Sequence, residues 1–338
     1  MKSNRITLKD IAIACGYSAN TVSRALRDDR RLSDATRSLI RETADRMGYI
    51  PNTMASSLRS GRSRMIAVIV NDLHNQHYCD LINRMDRELR AQGYTLMILC
   101  MQLEDELAEK LIHTAISLSV DGILYFPSFG QRHYIEYMTA NRMPFVLLDR
   151  RVSELDADTV RCDDELGGYL AGQHLARLGH RHFLFLSGVD LSSSQIDRLA
   201  GFRRAMREHG IPEENIRVIP GEQAEDALSS GQIADLLFPL DYTAIVSFRD
   251  ELAYPAVNAL RTNGVAVPGD VSVISFDNLY GGNPNLLPLT SIFAAESDVA
   301  AEGVKVLLDR IGNRNSPVQT KILPVRIFNE NATTGPAK

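Results

Sequence analysis

The four cysteines of this chain, Cys15, Cys79, Cys100 and Cys162, are scattered and nowhere form a Cys-x-x-Cys pair. That spacing excludes a zinc ribbon or a disulfide framework and leaves small buried thiols in a reducing compartment. Long apolar runs are also missing: the longest, such as Met65–Val70, are strand-length and far short of the ~20 residues that span a bilayer. No signal peptide is expected, because the N-terminus runs straight into an amphipathic helix, so a soluble, cytoplasmic chain is expected. Phosphate-cradling Gly-x-x-x-x-Gly-Lys-Ser/Thr, a Gly-x-Gly-x-x-Gly after the first strand and a Gly-x-Ser-x-Gly elbow are all absent. His74/His77 and His180/His182 lack a third ligand of suitable spacing and read as exposed loop histidines. No catalytic residue, cofactor or metal is therefore expected.

The net charge of −5 would disfavour a nucleic-acid partner if it were evenly spread. It is not, because residues 1–64 hold 13 of the 37 Lys+Arg but only 6 of the 42 Asp+Glu. A basic head on an acidic body is the pattern of one small domain that meets phosphates. In that head Thr7 is the candidate N-cap of a helix carrying Leu8, Ile11, Ala12 and Cys15 on one face, and Gly16 ends it. Ser18 caps a second short helix, Ala19 to about Arg27, with Val22, Ala25 and Leu26 inward and Ala19, Asn20, Ser23 and Arg24 outward. Two short helices joined at a glycine make a helix-turn-helix. A third helix, capped by Ser33, turns Thr36, Leu39, Ile40, Thr43, Ala44 and Met47 inward and ends at Gly48. Its outer face carries Arg37, Arg41 and Arg46, read as solvated surface with local ion pairs. Pro51 and Gly61 bracket a helix too short to stand alone in water. Leu58 within it is either a linker leucine or a wedge for the minor groove.

From Met65 onward strands alternate with amphipathic helices. Strands are expected at 65–70, 95–100, 122–126, 145–148, 183–187, 216–219, 244–247 and 271–276. Helices are expected at 78–92, 104–118, 131–141, 165–178, 195–209, 225–237 and 251–263. So many units imply two doubly wound parallel sheets rather than one. Ligands of such sheets sit at the carboxyl ends of the strands. That end gathers Asn71-Asp72, Pro127-Ser128, Asp149-Arg150, Gly188, Phe248-Arg249-Asp250 and Asp277-Asn278.

The head resembles the DNA-binding headpiece of the LacI/GalR family of bacterial transcription regulators. The resemblance is carried by Leu8-Lys9-Asp10-Ile11-Ala12, Gly16, Ser18, Thr21-Val22-Ser23-Arg24-Ala25-Leu26, Ser33, Thr36-Arg37, Gly48-Tyr49-x-Pro51-Asn52 and Ala55-x-x-Leu58. It extends through the body in Val120-Asp121-Gly122-Ile123, Asp149-Arg150, Gly179-His180, Arg198-x-x-Gly201-Phe202, Asp250-Glu251, Val267-Pro268-x-Asp270 and Pro288-Leu289-Thr290-Ser291-Ile292. The fold implied is an all-α helix-turn-helix headpiece plus an α/β, periplasmic-binding-protein-like body of two lobes. Residues 1–50 would form the headpiece and 51–63 the hinge helix. Residues 64–330 would form the effector and dimerisation domain, its N-lobe about 64–161 and 294–323 and its C-lobe about 162–293 and 324–330. The polar residues 331–338, without leucine heptads, are expected to be a disordered tail, and a homodimer is expected.

By the same resemblance Ala19, Asn20 and Arg24 stand where bases are read, Thr21 and Ser23 meet phosphates, and Leu58 intercalates. Thr7, Ser18, Asn52 and Ala55 complete the set expected at a pseudo-palindromic operator. Ser56 departs from the family, which often has arginine there. Arg198 and Asp277 are the nominated effector contacts, an arginine fork and a carboxylate able to grip vicinal hydroxyls of a sugar. They could instead pair with each other or with local backbone. His77, Tyr78 and Arg150 are expected at the same crevice, and Phe126 either stacks on a sugar face or is plain core. Arg249 either favours an anionic ligand or forms a salt bridge to Asp250 or Asp277. The implied function is a regulator, most often a repressor, whose grip on DNA is controlled by a small carbohydrate-like effector. The alternatives are a free-standing cytoplasmic sugar-binding protein and a sugar-modifying enzyme.

Overall fold

The computed structural model describes residues 6–50, 61–101, 105–127, 131–152, 155–188, 192–282, 285–294 and 299–338. The chain divides into two compact units, Met1–Ser63 and Arg64–Lys338. Asn52, Ala55 and Leu58, with most of the hinge expected at 51–63, lie outside the described residues.

The first unit is three capped helices around one small core. Helix α1 (Leu8–Cys15) opens on a reciprocal cap, in which the Asp10 amide donates to Thr7 Oγ1 and the Thr7 amide donates to Asp10 Oδ2 at 2.8 Å. Gly16 stops it at φ 74°, a left-handed conformation that costs glycine little. Ser18 caps α2 (Ala19–Leu26) and Ser33 caps α3 (Asp34–Arg46) through the amides of Thr21 and Thr36. Ile11, Val22, Ala25, Ile40 and Ala44 form the buried centre, with Leu8, Leu26, Leu32, Met47 and Tyr49 around it. Two expectations are corrected. Ser23 is buried at 9% exposure rather than outward, because the helix lies low enough on the core to cover that position. Leu39 is 44% exposed rather than inward, since Ile40, Thr43 and Ala44 alone fill the contact of α3. The ion pairs expected on α3 are present: Arg37 reaches Asp28 and Asp34, and Arg41 reaches Asp28 at 2.9 Å.

The second unit holds two six-stranded sheets. The N-lobe sheet contains β1 (Met65–Val70), β2 (Thr95–Cys100), β3 (Gly122–Tyr125), β4 (Phe145–Leu148), β5 (Thr159–Cys162) and β11 (Thr320–Leu323), in the order β11-β5-β4-β3-β1-β2, all parallel. The C-lobe sheet contains β6 (Phe183–Leu186), β7 (Ile216–Ile219), β8 (Ala244–Ser247), β9 (Ser272–Phe276), β10 (Thr290–Ala294) and β12 (Val325–Phe328), in the order β12-β10-β9-β8-β6-β7. Only β12 runs antiparallel in that sheet. The central strands are apolar on both faces, as burial between two helical layers demands. The chain passes from one lobe to the other after β5, after β10 and between β11 and β12.

In each lobe the winding direction reverses once, between β1 and β3 and between β6 and β8. Crevices open at the carboxyl ends of strands at such reversals. The helices that start there are α4 (Gln76–Ala91) after β1, α8 (Ser193–Glu208) after β6 and α11 (Asp250–Thr262) after β8. Between α4 and α8 in chain order come α5 (Asp105–Ser117), α6 (Arg132–Ala140) and α7 (Asp164–Arg177). Helix α7 packs on α8 closely enough that backbones touch. A Cβ on Gly168 would lie 1.8 Å from the Arg198 carbonyl oxygen, and one on Gly201 would lie 1.9 Å from that of Glu165.

Three further features depart from the sequence reading. The helix expected over 225–237 is two, α9 (Gly221–Ser230) and α10 (Ile233–Leu237), broken by Gly231 at φ 72°. A 14-residue helix, Val299–Gly312, covers the N-lobe sheet where no element was read; after the short α12 (Leu279–Gly282) it is α13. The tail is not free. Thr333 and Thr334 are buried, and Thr333 exchanges hydrogen bonds with Val273 and Thr290 at the starts of β9 and β10. The Ala337 amide donates to the Leu178 carbonyl at 2.8 Å. A polar composition suggested disorder, but the Thr333 hydroxyl satisfies buried backbone groups that the sheet leaves open, and the Thr334 hydroxyl meets His174 and Thr290. His180 belongs to the same seam and is buried, not an exposed loop histidine: it bonds Thr243, Ser272 and the Gly335 carbonyl.

Candidate functional site

On the headpiece, Asn20 is exposed, and Ala19, Thr21 and Arg24 are partly exposed. Thr7 and Ser18 are exposed and act as caps, with Ser18 Oγ 2.8 Å from Thr21 Oγ1. The Arg24 guanidinium is anchored by Nε to Asp29 Oδ2 at 2.9 Å. Asp29 also holds Arg31, at 3.0 Å to Nε and 2.8 Å to Nη2. Hydrogen bonds from Arg31 and then Arg24 keep the Asp29 carboxyl well below the ordinary carboxylate range. Arg24 therefore keeps its terminal amines available while its Nε edge is fixed. Ser23, buried, is the one expected phosphate contact that the fold turns away.

In the body, side chains from the strand ends and helix starts at both reversals converge. Arg198, in the first turns of α8, is held on several sides. Its Nε donates to Asp164 Oδ1 at 2.8 Å and its Nη1 to the Phe248 carbonyl at 2.7 Å. The rings of Phe248 and Phe276 lie 4.9 and 4.3 Å from its guanidinium carbon. Asp277, at φ 93° after β9, lies 3.7 Å from Nη2. The nominated pair is thus juxtaposed, but the close partner of Arg198 is Asp164. Burial, with a smaller push from the Asp149 charge, raises the Asp164 carboxyl, and the guanidinium opposes that rise. Arginine keeps its proton, so Arg198 presents a full positive charge to Asp164.

From the N-lobe, His77 Nε2 pairs with Asp149 Oδ2 at 3.0 Å, and its ring meets Phe293 edge-on at 5.6 Å. Burial pushes the imidazole down, but the carboxylates of Asp277 and Asp149 outweigh it and lift it to about 9. Tyr78 is buried against Phe126, ring centroids 4.9 Å apart, and its hydroxyl accepts from Arg150 at 3.3 Å. Phe126 is wholly buried, which favours the core alternative for it. Arg249 is bridged by Glu225 and, at 3.2 Å, by Glu251, rather than by Asp250 or Asp277. Burial, then Asp277, raises Asp250 to about 7.

The lobes touch across this crevice. Arg151 reaches Asp197 at 2.7 Å, its amide donates to Ser193 Oγ, Ser194 Oγ donates to the Asp149 carbonyl, and the Gln76 amide donates to Glu251. Sequence reading missed Asp164, Ser194, Gln195, Asp197 and Phe276 as crevice residues. The one available signal was the Asp163-Asp164 doublet immediately after the first lobe crossing, where Asp163 caps α7 and Asp164 is left for another task.

Residues 7–52 match the model described as bacterial regulatory proteins, lacI family, and residues 173–329 match the periplasmic binding protein-like domain. The HTH-type transcriptional repressor PurR of Vibrio parahaemolyticus serotype O3:K6 (strain RIMD 2210633) is 30% identical over 311 residues, covering 91% of this chain and 92% of its own. The chain belongs to the lacI family. The HTH-type transcriptional regulator DegA of Bacillus subtilis (strain 168) is 29% identical over 98% of both chains. Among solved structures, a LacI family transcriptional regulator from Enterococcus faecium with bound ribose is 28% identical, with TM-score 0.72 over 81% of this chain and 100% of that one. The lac repressor dimer bound to operator and the anti-inducer ONPF is 23% identical and shows the shared fold, with TM-score 0.82 over 98% of this chain and 100% of that one. The family assignment agrees with the helix-turn-helix headpiece and the two parallel-rich sheets of the body. No described helix is long and apolar enough to cross a membrane.

Proposed function

We propose that this lacI-family member is a cytoplasmic, sequence-specific transcription regulator, working as a repressor. As a homodimer it sets two headpieces on a pseudo-palindromic operator, and a small sugar or sugar derivative between the body lobes controls its grip. The observation that carries this reading is Arg198 beside Asp277, an arginine edge and a carboxylate 3.7 Å apart, at the reversal point of a lobe in a chain with a capped helix-turn-helix unit. The relatives named as transcriptional regulators and the neighbour crystallised with ribose support the same assignment. Ligand acts by differential affinity for two relative orientations of the lobes, and linkage transmits the bias to DNA affinity. The two-lobed body is a sensor in this reading and carries out no reaction.

The test is operator selection from genomic fragments by the full chain, followed by a screen of sugars, sugar acids, sugar phosphates and nucleobases for compounds that shift operator affinity. A saturable shift that Arg198→Ala or Asp277→Ala abolishes is expected. Absence of sequence-selective DNA binding in the intact dimer would overturn the regulator; turnover of any panel compound would favour an enzyme instead.

A further inference from the structure

Arg198 has five N–H donors, and the fold uses them unevenly. Nε is spent on Asp164 and one Nη1 hydrogen on the Phe248 carbonyl, while the rings of Phe248 and Phe276 pack against the guanidinium. The outer Nη2 edge remains, 3.7 Å from Asp277, so a donor and an acceptor stand side by side. Asp164 is 4% exposed and Arg198 12%, so water does little to screen the pair. One helical turn before Arg198, on the same face of α8, Gln195 is 8% exposed, and its Oε1 finds no hydrogen-bond partner among the described residues. An unused amide oxygen next to a fixed donor and acceptor matches a ligand that both gives and takes hydrogen bonds. A carboxylate only accepts, and either a carboxylate or a phosphate would bring negative charge close to Asp277 and Asp164.

We propose that Asp164 is a positioning residue that cancels the charge of Arg198 and leaves it one free edge, so that the crevice selects an uncharged hydroxyl- or amide-bearing ligand over a phosphate or carboxylate. The proposal rests on the crevice being the effector site. Arg249 is compensated in the same way, by Glu225 and Glu251.

The probe is inorganic phosphate, titrated into the full-length protein at constant ionic strength against chloride and followed by calorimetry. The parent is expected to show no saturable phosphate binding. Asp164→Asn keeps the side-chain shape, removes the compensating charge and gains phosphate affinity by about tenfold or more, the change equivalent to ~1.4 kcal/mol. The gain disappears in Asp164→Asn combined with Arg198→Gln. A merely structural role would not produce a new anion site. Arg198-dependent phosphate binding by the parent, or a folded Asp164→Asn that gains none, overturns the proposal. A second measurement needs no variant of Asp164. In the parent the Arg198 Nε–H, assigned by its loss in Arg198→Lys, is expected as a slowly exchanging resonance at pH 8, and fast exchange there also overturns the proposal. Neither measurement involves DNA, so failure here is distinct from failure of the regulator reading.

Discussion

His77 and Asp149 form a 3.0 Å pair on the N-lobe side of the crevice, and the charge of Asp277, from the C-lobe, acts on the same imidazole. Because the His77 ring meets Phe293 of the C-lobe, the proton on His77 is tied to the contact between the lobes. The folded value of about 9 exceeds the ordinary histidine value of about 6.5, so this stabilisation is fully present below about pH 6.5 and is lost as pH rises through about 9. The difference corresponds to on the order of 3 kcal/mol. Urea midpoints of the parent should fall across that window, and those of His77→Gln should fall much less. Equal slopes for the two proteins would refute the linkage.

The close approach of α7 and α8 gives a second prediction. Gly168→Ala places a methyl 1.8 Å from the Arg198 carbonyl oxygen, an atom of the backbone that cannot swing aside. The helices must part, at a cost of about 1–3 kcal/mol as for other overpacked sites. Arg198 then leaves its slot between Phe248 and Phe276, so effector affinity should fall more than stability alone explains. Calorimetric titration at a temperature where the variant is fully folded separates the two; unchanged affinity there would show that the slot does not depend on the helix contact.

What could be read in advance follows from where the physics is local. Thr7, Ser18, Ser33 and Gly16 announce helix ends through a hydroxyl or a missing side chain, and the structure uses each of them that way. The apolar strands from Met65–Val70 to Ser272–Phe276 announce a sheet covered on both faces. Arg198 and Asp277 could be nominated from the family strings, yet their partners could not. Asp164 and Gln195 become crevice residues only because two glycine-lined helices meet, and nothing in the spacing of either residue records that contact. The strands Thr159–Cys162, Thr290–Ala294, Thr320–Leu323 and Val325–Phe328 flank the lobe crossings, outside the regular strand–helix alternation within a lobe, and were not expected. Thr333 and Thr334 looked like solvent-facing residues because their composition says nothing about the buried polar groups they meet.

That C-terminal seam yields a third prediction. Thr333→Val keeps the shape of the side chain but removes the hydroxyl that accepts from the Thr290 amide at 2.9 Å and donates to the Val273 carbonyl at 2.7 Å. Leaving a buried amide and carbonyl unpaired costs about 1–3 kcal/mol. His180 contributes a pH signature to the same seam: burial lowers its proton affinity, so its stabilisation is present above the ordinary histidine value and is lost as pH falls below it. Denaturation at neutral and mildly acidic pH should show Thr333→Val destabilised at both, with the acid loss retained. If deletion of residues 332–338 left the unfolding midpoint unchanged, the seam would contribute nothing.

The headpiece supplies the last prediction. Arg24 carries a base-reading expectation, and its Nε edge is fixed by Asp29, which itself is gripped by Arg31. A bidentate contact to guanine uses the two outer nitrogens of an arginine, so an anchor at Nε orients the fork without competing for it. Asp29→Asn removes the charge that holds Arg24 and should weaken operator binding while leaving non-specific DNA affinity equal or slightly higher, because one negative charge near the phosphates is gone. Arg24→Ala should cost about 1–3 kcal/mol of specific affinity and relax the preference at one base pair per half-site. In the double variant the two effects should not add, since Asp29 acts through Arg24. Fluorescence anisotropy with the selected operator and a scrambled duplex, at two salt concentrations, measures all of these. Additive losses in the double variant would show that Asp29 stabilises the loop by itself and does not aim the arginine.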